Sequence, residues 1–122
     1  MRILVLDDNA DILESMRLLL ASSGYDAVTS ADAREALELQ DRQPADLLIT
    51  DIFMPGTDGL EAILAFRSRW PGLKIVAISG GGVRAKRDYL HVAREIGADV
   101  LMRKPVDPEH LLATLRTLAP RA

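Results

Sequence analysis

Apolar runs of strand length alternate with stretches of helical period five times between residues 3 and 118, with no long unassigned gap. That alternation restricts the chain to folds built on a parallel sheet. The strand candidates are residues 3–6, 26–29, 47–50, 75–78 and 100–102; the first, third and fourth are apolar almost throughout, as strands covered by helices on both faces are. Between and after them, Ile12, Met16, Leu19 and Leu20 form one helical stripe, and Ala33, Ala36, Leu37 and Gln40 a second. Leu60, Ile63 and Leu64 give a third, Leu90, Ala93 and Ile96 a fourth, and Leu111, Leu115 and Leu118 a fifth. Gly24 and Gly97 stand where helices should stop, Pro44 and Pro71 follow helix ends, and Asp107-Pro108-Glu109 is a strong helix start.

The pattern predicts an α/β fold: a doubly wound (βα)5 flavodoxin-like three-layer sandwich whose parallel five-stranded sheet has the order 2-1-3-4-5. The expected organisation is a single domain over residues 1–122, a length able to bury one core. Hydrophobic residues make up 48% and charged residues 27%, an ordinary globular mixture. A formal net charge of -3, with 15 basic and 18 acidic residues spread along the chain, argues against direct nucleic-acid binding. There is no cysteine, which removes disulfides, thiolate metal sites and cysteine nucleophiles together. The first apolar run is too short for a signal peptide and ends in Asp7 and Asp8, and no stretch is long enough to span a bilayer. The expectation is a cytoplasmic protein that does not engage membranes.

Ligands of such sheets bind beyond the carboxyl ends of the strands. There the first strand candidate leads into Asp7 and Asp8, the third into Asp51, the fourth into Ser79 and the fifth into Lys104 and Pro105. With the first and third strands adjacent, three carboxylates converge, and two such charges about 4 Å apart repel by roughly 4 kcal/mol at an effective dielectric near 20. A hard divalent cation offsets this naturally; Mg²⁺ takes one or two carboxylates and keeps other positions for water and phosphate. The all-oxygen donor set argues against zinc and copper. Lys104 adds a point charge and Ser79 a hydroxyl donor, both suited to phosphoryl oxygens.

Singly, these residues have plainer explanations. Asp8 or Asn9 would cap the first helix, Ser79 and Asp51 would belong to turns, and Lys104 would be a solvated lysine. Their conjunction on the correct ends of the correct strands is what carries weight.

Four segments, LVLDDNADILESM, DLLITDIFMPGTDGLE, KIVAISG and GADVLMRKP, closely resemble the receiver domains of bacterial two-component response regulators, and the resemblance runs from Met1 to about Leu118. It implies a signalling switch, not a conventional enzyme, that catalyses its own phosphorylation and dephosphorylation. Asp51 would attack the phosphorus of a phosphohistidine on a sensor histidine kinase or histidine phosphotransfer protein. Mg²⁺, with Mn²⁺ able to substitute, would be held by Asp8, Asp51 and the Phe53 backbone carbonyl, with Asp7 acting through water. Lys104 would contact the phosphoryl oxygens, the peptide before Pro105 would be cis, and Ser79 would relay the phosphoryl group's presence to the surface of the fourth and fifth βα elements. The chain departs from the family at Leu101, where an aromatic switch residue is common. Phe53 and Gly81 occupy sites that modulate acyl-phosphate hydrolysis, and neither side chain can orient a water.

Gly80, Gly82 and Ala85 with Asp99 match a dinucleotide fingerprint only weakly, since the motif follows the fourth strand. No G-x-x-x-x-G-K-[ST] loop exists. An aspartyl-phosphate phosphatase would place a second acid where Phe53 stands. The basic Arg84, Lys86 and Arg87 read as a solvated face, and His91 and His110 lie away from the carboxylate edge. Four residues follow Leu118, so a stand-alone receiver is expected, one that binds an unidentified downstream protein or passes phosphate onward.

Overall fold

The structure is a computed structural model that describes residues 1–54, 57–79, 94–95 and 97–118. The stripe Leu90, Ala93 and Ile96, the glycines at 80–82, and Arg84, Ala85, Lys86, Arg87 and His91 lie outside the described residues.

Five strands form one parallel sheet: β1 (Arg2–Leu6), β2 (Asp26–Ser30), β3 (Leu47–Asp51), β6 (Lys74–Ser79) and β7 (Val100–Arg103). Their order is β2-β1-β3-β6-β7, which is the expected 2-1-3-4-5 once a short antiparallel pair, β4 (Phe53–Met54) with β5 (Thr57–Asp58), is set aside. That pair was not legible as strand, because two residues a side carry no periodicity. The sheet strands also run past their apolar cores: β3 includes Asp51, opposite Ile78, and β6 includes Ser79, opposite Arg103. Hydropathy marks which side chains are covered, whereas pairing is a property of the backbone and continues into the polar residues of the edge.

Strand alternation sorts the apolar residues onto two faces. Leu4, Leu6, Leu48, Ile75 and Ala77 pack with Ala36, Ile63 and Phe66, beneath α2 (Ala33–Arg42) and α3 (Gly59–Arg69). Ile3, Val5, Ile49, Val76 and Ile78 pack with Met16, Leu20, Leu111 and Leu115, beneath α1 (Ala10–Ser22) and α4 (Pro108–Leu118). Helices therefore cover both faces, as a doubly wound sheet requires.

The expected stripes hold for α1, α2 and α4, with one correction in α3. Leu64 is 54% exposed, and the buried residues are Ala62, Ile63 and Phe66. Phe66 lies three residues beyond Ile63, so the inward face is rotated past Leu64. Within α2, Gln40 is buried but polar; its amide donates to the Ala45 carbonyl at 3.1 Å and accepts from the Ala45 N–H at 2.9 Å, closing the turn into β3. The helix signals also hold: Gly24 and Gly97 have positive φ, and the Asp107 carboxylate accepts from the Glu109 N–H ahead of the α4 helix with Pro108 first. No helix among the described residues is long and apolar enough to cross a membrane.

Candidate functional site

Adjacent β1 and β3 are in parallel register, Leu6 opposite Thr50, so Asp7 and Asp8 leave β1 beside Asp51. One carboxylate oxygen from each of Asp7, Asp8 and Asp51 lies within 4.8 Å of the others. Asp7 and Asp51 are nearly buried at 4% exposure each, while Asp8 is exposed.

The plainer role open to Asp8 is taken by its neighbour. Asn9 caps α1, its side-chain oxygen accepting from the N–H groups of Asp11 (2.9 Å) and Ile12 (3.2 Å). The Asn9 N–H in turn donates to Asp7 Oδ1 at 2.9 Å, and the Asp7 N–H is held by the Ser30 carbonyl at 3.1 Å. Asp7 thus has one oxygen committed to the backbone, and Asp8 faces solvent with no side-chain partner among the described residues.

Lys104 supplies the cation. Its backbone N–H donates to the Ser79 carbonyl at 2.8 Å, tying the ends of β6 and β7 together. Its ammonium donates to Asp51 Oδ2 at 2.9 Å and to Asp7 Oδ2 at 3.1 Å. Burial disfavours the charged amine, but the hydrogen bonds and charges of Asp51 and Asp7 outweigh that effect and raise Lys104 above the ordinary lysine range. The Lys104–Pro105 peptide is cis, as the family resemblance implied.

Ser79 ends β6 and is fully buried, and its hydroxyl has no hydrogen-bond partner among the described residues. A buried polar group without a partner costs the desolvation of that group, about 1–3 kcal/mol. Such orphans are rare in folded proteins and mark places where a missing ligand or water completes the bonding.

The sequence-predicted residues Asp7, Asp8, Asp51 and Lys104 are thus brought together, with Ser79 on the neighbouring strand end. Phe53 follows Asp51 by two residues and opens β4. An all-oxygen set with two buried carboxylates fits a hard cation such as Mg²⁺ and does not fit a thiolate- or imidazole-seeking metal. Asp99, the acid of the weak dinucleotide pattern, sits elsewhere. It precedes β7 at the opposite edge, where its carboxylate accepts from the Ile75 N–H (2.8 Å) and from Arg67 (3.0 Å), so it is occupied by packing. His110 is exposed on α4. Beside Lys104, α1 and α4 border an apolar groove of about 530 Å³, lined in part by Ile12, Met16, Val106 and Leu111.

The profile of the response regulator receiver domain family matches residues 3–116. Among curated relatives, the response regulator MprA of Mycobacterium leprae is 36% identical over 121 residues, covering 99% of this chain and 52% of the relative. The chain therefore spans about half the length of the curated relatives it matches. Among solved structures, the chemotaxis protein CheY4 of Vibrio cholerae superposes with a TM-score of 0.85 at 30% identity, covering 97% of this chain and 98% of its own. A CheY-like receiver domain protein of Methanospirillum hungatei gives 0.86 at 29% identity, over 95% and 90%.

Proposed function

The chain belongs to the response regulator receiver domain family, and on that premise we propose that it is a phosphoryl-accepting switch whose acceptor is Asp51. A carboxylate oxygen of Asp51 attacks the phosphorus of a phosphohistidine on a sensor histidine kinase or histidine phosphotransfer protein. The P–O bond forms as the P–N bond breaks, the imidazole leaves, and Asp51 carries an acyl phosphate. Such transfers need an in-line nucleophile and positive charge around the phosphoryl oxygens more than covalent help.

Each neighbouring group has a task in that reaction. Lys104, already 2.9 Å from Asp51 Oδ2, moves its ammonium from the carboxylates to a phosphoryl oxygen. Ser79 donates its buried hydroxyl to another. Asp8, Asp51 and the Phe53 carbonyl would hold Mg²⁺ or Mn²⁺, with Asp7 acting through water. When bound, the cation shields the negative charge that builds up between carboxylates and phosphoryl group. Phosphorylation changes the surface of the fourth and fifth βα elements for a downstream protein or for onward transfer. This is a signalling switch that works in the cytoplasm and catalyses its own phosphorylation and dephosphorylation.

The observation that carries the reading is the pairing of a lysine-bridged carboxylate cluster with an orphaned buried hydroxyl on the adjoining strand end. The test is incubation with acetyl phosphate and Mg²⁺ followed by intact mass. The parent should gain one phosphoryl group and Asp51→Asn none; a parent that gains nothing, or a variant modified equally, would overturn it.

A further inference from the structure

Thr50 is a fully buried polar residue to which the chemistry above gives no task. It follows Leu47, Leu48 and Ile49 in β3, all apolar and buried, and alternation puts it on the face of Leu48. Packing alone would be served there by valine. The hydroxyl has a defined use: it donates to the carbonyl of Asp51 at 3.1 Å. The other polar atom of that same peptide unit, the Ile52 N–H, donates to the Ile78 carbonyl at 3.0 Å. The peptide joining Asp51 to Ile52 is therefore gripped at both ends, at the point where β3 ends and the chain departs toward Phe53.

Turning that planar peptide changes ψ of Asp51 and φ of Ile52, and so resets how the Asp51 side chain and the path to the Phe53 carbonyl are oriented relative to one another. We propose that Thr50 is a positioning residue, which through the Asp51 carbonyl sets the placement of the acceptor carboxylate and of the Phe53 carbonyl toward a divalent cation. The proposal rests on the reading of this edge as a cation and phosphoryl site. Misplacement by about 1 Å is enough to slow a reaction that depends on alignment.

The experiment compares Thr50→Val, which keeps the volume and removes the hydroxyl, with Thr50→Ser, which keeps the hydroxyl and removes a methyl. Mn²⁺ binding is read by electron paramagnetic resonance of the unbound ion, the half-saturating Mg²⁺ concentration by the rate of modification with acetyl phosphate, and folding by thermal unfolding. Loss of one hydrogen bond should weaken Mn²⁺ binding and raise the half-saturating Mg²⁺ by about threefold to tenfold in Thr50→Val, while Thr50→Ser stays near the parent. A residue that merely filled space would give the opposite order, since the serine leaves the larger void. Parent-like Mn²⁺ binding by Thr50→Val, or losses that follow melting temperature in both variants, would overturn the proposal. A parent that binds Mn²⁺ but gains no phosphoryl group would overturn the acceptor assignment, and the Mn²⁺ comparison would still decide the role of Thr50.

Discussion

Lys104 holds together two carboxylates that are almost out of water, and its own side chain is only 24% exposed. Removing one partner of such a cluster leaves charge that neither solvent nor protein neutralises, which is the costly case for buried ion pairs. Lys104→Met keeps most of the stem and deletes the charge, leaving two buried carboxylates without their hydrogen-bond donor, so in EDTA it should lose at least about 1–3 kcal/mol of stability by urea unfolding. A divalent cation bound at the proposed site would supply the missing charge, so millimolar Mg²⁺ should recover more stability in this variant than in the parent. A variant as stable as the parent in EDTA would show that the ammonium offsets nothing. The cluster itself was legible in the sequence because its members are ionisable residues following apolar runs. The Asn9 N–H bond to Asp7 and the Thr50 hydroxyl bond to Asp51 were not. One is donated by the backbone, and the other depends on which way a rotamer points, and neither leaves a mark in residue type.

The third helix shows where periodicity loses resolution. Leu60, Ile63 and Leu64 make a plausible stripe at spacings of three and four, but a helix turns 100° per residue, so the inward direction is fixed only by what it packs against. Here the sheet receives Ala62, Ile63 and Phe66, and Leu64 is left outside. The energetic consequence is steep across two residues. Phe66→Ala should cost about 3–5 kcal/mol, as loss of a buried aromatic ring and the cavity it leaves, whereas Leu64→Ala should change stability by less than about 0.5 kcal/mol. Equal losses in denaturant melts would mean that Leu64 is packed as closely as Phe66, against this assignment of the inward face. The strand ends were misjudged for a different reason. Asp51 and Ser79 are polar, so hydropathy closed each strand one residue early, although their backbones continue the ladder.

Across the whole molecule, burial and charge are arranged against one another. The two apolar layers fix the sheet, and the sheet's carboxyl edge then forces Asp7, Asp8 and Asp51 within 4.8 Å, a proximity the folded state must tolerate even before any ligand arrives. This arrangement was readable from the expected strand order, since a 2-1-3 sequence of strands makes the first and third neighbours. It also predicts how stability responds to cations. A ligand that binds only the folded chain stabilises it by RT ln(1 + [L]/Kd), about 1.4 kcal/mol at ten times Kd, which for a chain of this size raises the melting temperature by roughly 4–6 °C. Mg²⁺ should produce that rise where NaCl of equal ionic strength does not. Asp8→Asn separates the two effects of the cluster with opposite signs. Asp8 is exposed, so its neutralisation relieves repulsion without opening the core, and the metal-free variant should melt at or above the parent's temperature. The same substitution removes one of the proposed ligands, so the rise with Mg²⁺ should largely vanish. If Asp8→Asn melted lower without metal and kept the full response to Mg²⁺, Asp8 would be supporting the fold and the cation would be held by other groups.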